Sequence, residues 1–178
     1  MPLGAHPAIW DAHLTYGFGM ATDEEIGFPA GTRDERELFL NWLRYLRGAV
    51  LRNVDGLDDE RARWRPDGRL LPLLGIIHHL TNVEERWIDG GFFDGPVDRA
   101  DDEPLDVARL NLYACVHAYE ARGAATERAV RTLSLDTPHP YGPDVNLRWV
   151  LLHLINETAR HAGHADSVRE LLDGTVGE

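Results

Sequence analysis

The sequence predicts an all-α protein built as a four-helix bundle. Four long stretches carry apolar residues at three- and four-residue steps, and no stretch shows a convincing two-residue alternation. The chain has 178 residues, 43% of them hydrophobic, enough for one domain to bury a core of its own.

Residues 1–33 stand apart. They hold Gly17, Gly19, Gly27, Gly31 and Pro29 without a sustained period, yet carry Trp10, Tyr16, Phe18 and Phe28. That composition predicts an irregular arm laid on a bundle formed by residues 34–178. The first helix runs from about Asp34 to Val54, with Phe39, Leu43, Leu46, Val50, Val54 and Leu57 as its apolar stripe. Arg36, Glu37, Arg44, Arg47 and Arg52 fall elsewhere and are expected on the wet face. Asp55-Gly56 ends that helix, and Asp58 caps a short turn that Arg65-Pro66-Asp67-Gly68 closes.

The second helix follows Pro72 and stops before Gly90-Gly91, with Ile76, Leu80, Val83 and Trp87 inward. The third spans Pro104 to Leu133. Leu110, Ala114, His117, Ala121 and Ala124 mark one candidate inner side, against a competing set of Val107, Leu112, Val116 and Val130. Ser134 to Pro143 reads as a loop, and the fourth helix opens at Asn146 and closes at Asp173-Gly174.

Composition narrows the function. The net charge is −12, from 18 basic and 30 acidic residues, which opposes binding to phosphate backbones and argues against nucleic acid. Every basic residue is arginine. One cysteine, Cys115, allows no internal disulfide, and it reads as a small core residue. No run reaches the roughly 18–20 apolar residues of a membrane span, and Met1-Pro2-Leu3-Gly4 does not open like a signal peptide, so a cytoplasmic location is expected. Phosphate-cradling glycine loops, His-Glu-x-x-His and the paired Glu-x-x-His of di-iron bundles are all absent.

The chemistry lies on two helices. At about 100° per residue from Val150, Glu157 falls near −20°, His161 near 20° and His164 near −40°, all on the stripe of Leu154 and Val168. A carboxylate there needs partners. On the second helix His79 flanks the stripe, whereas the adjacent His78 falls on the opposite side, toward water. Residues four apart stack on one helix face, so Glu157 and His161 with His79 opposite form a candidate site for a divalent metal. Zinc leads, with nickel, iron or manganese as alternatives. His164 has three readings: a ligand in place of Glu157, a substrate-orienting group, or a hydrogen-bond partner of the ligands. The competing account is a metal-free core in which His79 and Glu157 bond each other. His117 is left between cavity, core and surface; Trp149 and Arg148 either line a cavity mouth or serve as ordinary packing and a surface charge, the latter pair being favoured.

Gly75-Ile76-Ile77-His78-His79-Leu80, with Val83-Glu84 and Trp87, resembles the second-helix motif of the DinB/YfiT-like superfamily. The segment from Leu147 to Asp166, with Asn156-Glu157-Thr158-Ala159-Arg160-His161-Ala162-Gly163-His164 at its centre, resembles the fourth-helix motif of an actinobacterial branch. The likeness covers roughly residues 34–174. It implies an up-down-down-up bundle with a metal held by three side chains. The set His79-Glu157-His161 is similar to that of mycothiol-dependent maleylpyruvate isomerase. By the same resemblance, the protein is expected to use a low-molecular-weight thiol, mycothiol before bacillithiol, to conjugate or isomerise a small electrophile. His164 would then be the proton carrier. A homodimer is one option for its assembly. The alternative function is a non-enzymatic metal- or ligand-binding bundle.

Overall fold

The computed structural model describes Pro29, residues 31–95, residues 107–175 and Gly177. Most of the expected N-terminal arm, with His6 and His13, lies outside the described residues, as does Pro104.

Helix α1, Glu35–Arg52, starts where Asp34 accepts a hydrogen bond from the Glu37 amide. The one-turn α2, Asp59–Ala62, is capped by Asp58 in the same way, and a 3-10 turn at Pro66–Gly68 leads to α3, Leu73–Phe92. Helix α4 covers Leu112–Thr132 behind an Asn111 cap. Helix α5 covers Leu147–Asp173, between an Asn146 cap and Gly174, whose φ of 79° suits glycine.

Two boundaries differ from expectation. Helix α3 runs through Gly90 and Gly91 instead of stopping before them. Gly91 serves close approach, because a Cβ there would overlap the His139 imidazole. Helix α4 begins at Leu112, with residues 107–111 in a turn, so the third helix is shorter than the periodicity suggests.

Side-chain pairs fix the helix directions. Arg148 at the start of α5 meets Glu35 at the start of α1 at 2.7 Å, and Asn53 just past α1 donates to Asp166 late in α5 at 2.8 Å. These two helices are parallel. Arg36, early in α1, donates to the Leu133 carbonyl just past α4 at 2.6 Å, so α4 runs the other way. Helix α3 is antiparallel to α5, since His79 faces Glu157 and Trp87 faces Trp149. The order is up-down-down-up, as the resemblance implies. Helices α3 and α4 are parallel neighbours, separated in the sequence by the long stretch from Phe93 to Asn111.

The core has two apolar parts. One gathers Val50, Leu73, Ile76, Ile77, Leu80, Leu112, Cys115 and Ala165, and the other Leu40, Leu43, Val83, Ile88, Val130, Leu147, Leu151 and Leu154. Polar groups lie between them. Arg47 of α1, expected in water, is buried and forms a two-pronged ion pair with buried Glu84 of α3, at 2.8 and 2.7 Å. Thr126 of α4 donates to the same carboxylate at 2.9 Å, and the guanidinium packs over Gly123, where a Cβ would crowd it.

This pair also explains why α4 buries Leu112, Cys115, Tyr119, Gly123, Thr126 and Val130 and exposes Ala114, Ala121 and Ala124. Its inner face is shaped to receive an arginine, so it is not the most uniformly apolar one.

Arg47→Ala should cost about 3–5 kcal/mol, because Glu84 then stays buried without its counter-charge. Arg47→Met with Glu84→Leu should cost far less. Urea midpoints check both, and a loss under about 1 kcal/mol for the single variant would contradict a buried, load-sharing pair.

Candidate metal centre

The site forms at the seam of α3 and α5, level with the polar interruption of the core. His79 comes from α3, and Glu157 and His161 come from successive turns of α5. Glu157 Oε1 stands 3.5 Å from His79 Nε2 and 3.3 Å from His161 Nε2. One ligand atom from each of the three lies within 4.8 Å of the others. The two imidazole rings are 4.9 Å apart between centroids, tilted by 59°. Arg160 approaches the outer carboxylate oxygen at 3.6 Å.

The depth of these groups is graded. His161 is buried, His79 and Glu157 are half-buried, and His164 is exposed. The buried residues of α5 include Leu147, Leu151, Thr158, Ala162, Ala165 and Arg169. They centre its inner face about 60° around from Val150, so Glu157 sits at the margin of that face and not in its middle. His164 lies beyond the margin, with its ring edge-on to His161 at 5.6 Å. His78, expected in water, is half-buried in a groove between α3 and α4, where its Nε2 meets Asn82 at 3.1 Å. His117 is likewise half-buried and packs on Tyr113 near Glu120.

Electrostatics favours an anionic Glu157 carboxylate beside a neutral His161 imidazole. Burial pushes the Glu157 carboxyl up, but His161, the hydrogen bond from His79 and the Arg160 charge together hold it below the usual carboxylate range. Burial, then the neighbouring His79, keeps the His161 imidazole below its ordinary value despite Glu157.

A divalent cation fits this donor set. Ligand atoms about 2.0–2.1 Å from a tetrahedral zinc stand about 3.3–3.4 Å apart, close to the separations from Glu157 to both rings. Those separations are long for strong charged hydrogen bonds. His161 Nδ1 is buried without a hydrogen-bond partner among the described residues. A cation bound through Nε2 would place the ring proton on Nδ1, where an unpaired buried donor costs about 1–3 kcal/mol and calls for an acceptor.

The seam continues into a ring-lined surface that periodicity could not reveal. His153, one turn before Glu157, packs on Trp87 at 4.7 Å and stacks on Trp149 at 5.4 Å. Tyr141 and His139 from the preceding loop close on Trp87 at 5.4 and 5.2 Å. Trp149 and Tyr141 remain exposed. Arg148 is engaged by Glu35 and Asp136, which matches the surface-charge reading and not the cavity mouth.

His139, His153 and His161 are all held below the ordinary imidazole value, burial being the first cause in each. The unfolded chain takes these protons near pH 6.5, earlier than the folded one. Stability from the three rings is therefore present above about pH 6.5 and lost as pH falls through their lower folded values. Chelator-treated protein should show a Tm that declines from about pH 6.5 downward, with His153→Phe flattening part of the decline. A Tm unchanged between about pH 7.5 and 5.5 would contradict it.

Among the described residues, no helix is long and apolar enough to cross a membrane. Comparison with curated proteins and with solved structures finds no match. The model of the mycothiol-S-transferase family matches residues 38–174, from the first turn of α1 to the glycine that caps α5. That span takes in all four long helices and each member of the triad, and by it the chain belongs to the mycothiol-S-transferase family, a DinB/YfiT-like family.

Proposed function

We propose that the protein is a metal-dependent thiol S-transferase in which His79, Glu157 and His161 hold a divalent cation, zinc first, and mycothiol is the thiol. The observation that carries this reading is the convergence of His79 Nε2, Glu157 Oε1 and His161 Nε2 across the α3–α5 seam, in a chain of this family. Two imidazoles and one carboxylate leave at least one coordination position open, the condition for catalysis over purely structural binding. The same donor set also accepts iron, nickel or manganese.

When bound, the cation supplies the positive charge that keeps a thiol in its thiolate form near neutral pH. The chain's residues do the rest. Glu157 and the two imidazoles orient the centre. His164, exposed one turn beyond His161, carries the thiol proton to solvent. The sulfur electron pair forms a bond to an electrophilic carbon, whose leaving group departs with its own pair or whose conjugated carbonyl accepts one. The ring surface of Trp87, Trp149 and His153 gives the reactants an apolar wall beside the centre.

The test is metal content and conjugation of mycothiol to a panel of haloalkanes and activated alkenes, with His161→Ala beside the wild type. Loss of the metal together with a fall in rate above about 100-fold is expected, beyond the range for removal of an outer-shell partner. Conjugation at wild-type rate in the metal-free variant would overturn the reading. Bound metal in the wild type without turnover of any electrophile would leave a non-enzymatic metal-binding bundle.

His164→Ala should keep the metal while lowering turnover about 10²–10⁴-fold. A turnover within about two-fold of wild type would remove His164 from the proposed proton path.

A further inference from the structure

Two buried polar atoms in the middle of the bundle have no hydrogen-bond partner among the described residues: His161 Nδ1 and the Tyr119 hydroxyl. They come from different helices, α5 and α4, and Thr158 relates them. Thr158 is buried one turn before His161, and the Tyr119 hydroxyl lies beside its side chain without a well-formed bond. Thr158 Oγ1 gives its own proton to the Leu154 carbonyl at 2.7 Å, so its lone pairs remain able to accept. Tyr119 is fully buried, and burial, reinforced by Glu84, pushes its phenol up, so it stays a neutral hydroxyl.

A neutral imidazole has one proton. His161 Nε2 is the nitrogen that faces Glu157 and shares its oxygen with His79. If Nε2 gives its lone pair to a cation, the proton must sit on Nδ1, which then needs an acceptor in a part of the core that lacks one.

We propose that Tyr119 is the positioning residue for His161: its oxygen accepts the Nδ1 proton through one buried water, while its own proton goes to Thr158 Oγ1. This inference rests on the reading of the triad as a metal site. It gives Tyr119 two neighbours with different roles. The buried Arg47–Glu84 pair locates the tyrosine, and the tyrosine sets the tautomer and tilt of one ligand.

Tyr119→Phe removes the hydroxyl and little else. Zinc affinity, measured by competition with a chromogenic chelator, should fall about 10–100-fold. The visible bands of the cobalt(II)-loaded variant should shift, which a merely structural role would not cause. The metal-free variant should be as stable as wild type or more so, because an unpartnered buried hydroxyl has been deleted. Unchanged zinc affinity with unchanged cobalt bands would overturn the proposal while leaving the metal site intact. A wild type that binds no zinc would overturn both. If Tyr119→Phe does not fold, Thr158→Val serves in its place: weaker zinc binding supports the relay, and unaltered binding overturns it.

Discussion

The buried Arg47–Glu84 pair is the constraint around which the bundle is arranged. Helices α1 and α3 each pack chiefly on α4 and α5, so the pair crosses the bundle between helices that are not principal neighbours. Two charges in a dry interior repay their desolvation only with near-ideal geometry and further hydrogen bonds. Here that means both prongs of the guanidinium, the Thr126 hydroxyl, and Gly123 with no side chain in the way. Each requirement falls on a particular residue of a particular helix, so the pair sets the register of α1, α3 and α4 together. It also divides the apolar core in two, and the α3–α5 seam carries its own polar groups at that same level.

This constraint marks where the sequence stops being legible. Helix starts at Asp34, Asp58 and Asn146 were readable because their chemistry is local, each accepting a bond from an amide three residues on, whereas Asn111, the cap of α4, falls inside the third helix that periodicity suggests. His79, Glu157 and His161 were readable because a polar group near an apolar stripe is conspicuous. Arg47 was not, because one helix viewed alone offers no reason to bury an arginine, and the reason is Glu84, 37 residues later. The same pairing hid the inner face of α4, which exposes alanines and buries a glycine and a threonine. His164 was placed too far inward because small buried residues, Ala162 and Ala165 among them, turn the inner face of α5 away from Val150. The ring-lined wall depends on a loop folding back over α3, which helical periodicity does not describe.

The triad inherits its properties from that architecture. A carboxylate at the margin of a helix face keeps enough contact with water and arginine to stay ionised, while His161 behind it is dry and neutral. A site of this kind presents one negative charge and two lone pairs toward a common point, which suits a divalent ion better than a hydrogen-bonded proton. The seam beside these residues continues into the aromatic surface of Trp87, Trp149 and His153. The family match spans all three of the residues that the geometry brings together.

The most direct test of this account is the X-ray absorption spectrum of the zinc-loaded protein. It should show two imidazole nitrogens and a carboxylate oxygen at about 2.0–2.2 Å, with a further light-atom ligand at the open position. Addition of mycothiol should replace that ligand with sulfur near 2.3 Å. A zinc shell without imidazole, or one that mycothiol leaves unchanged, would contradict it.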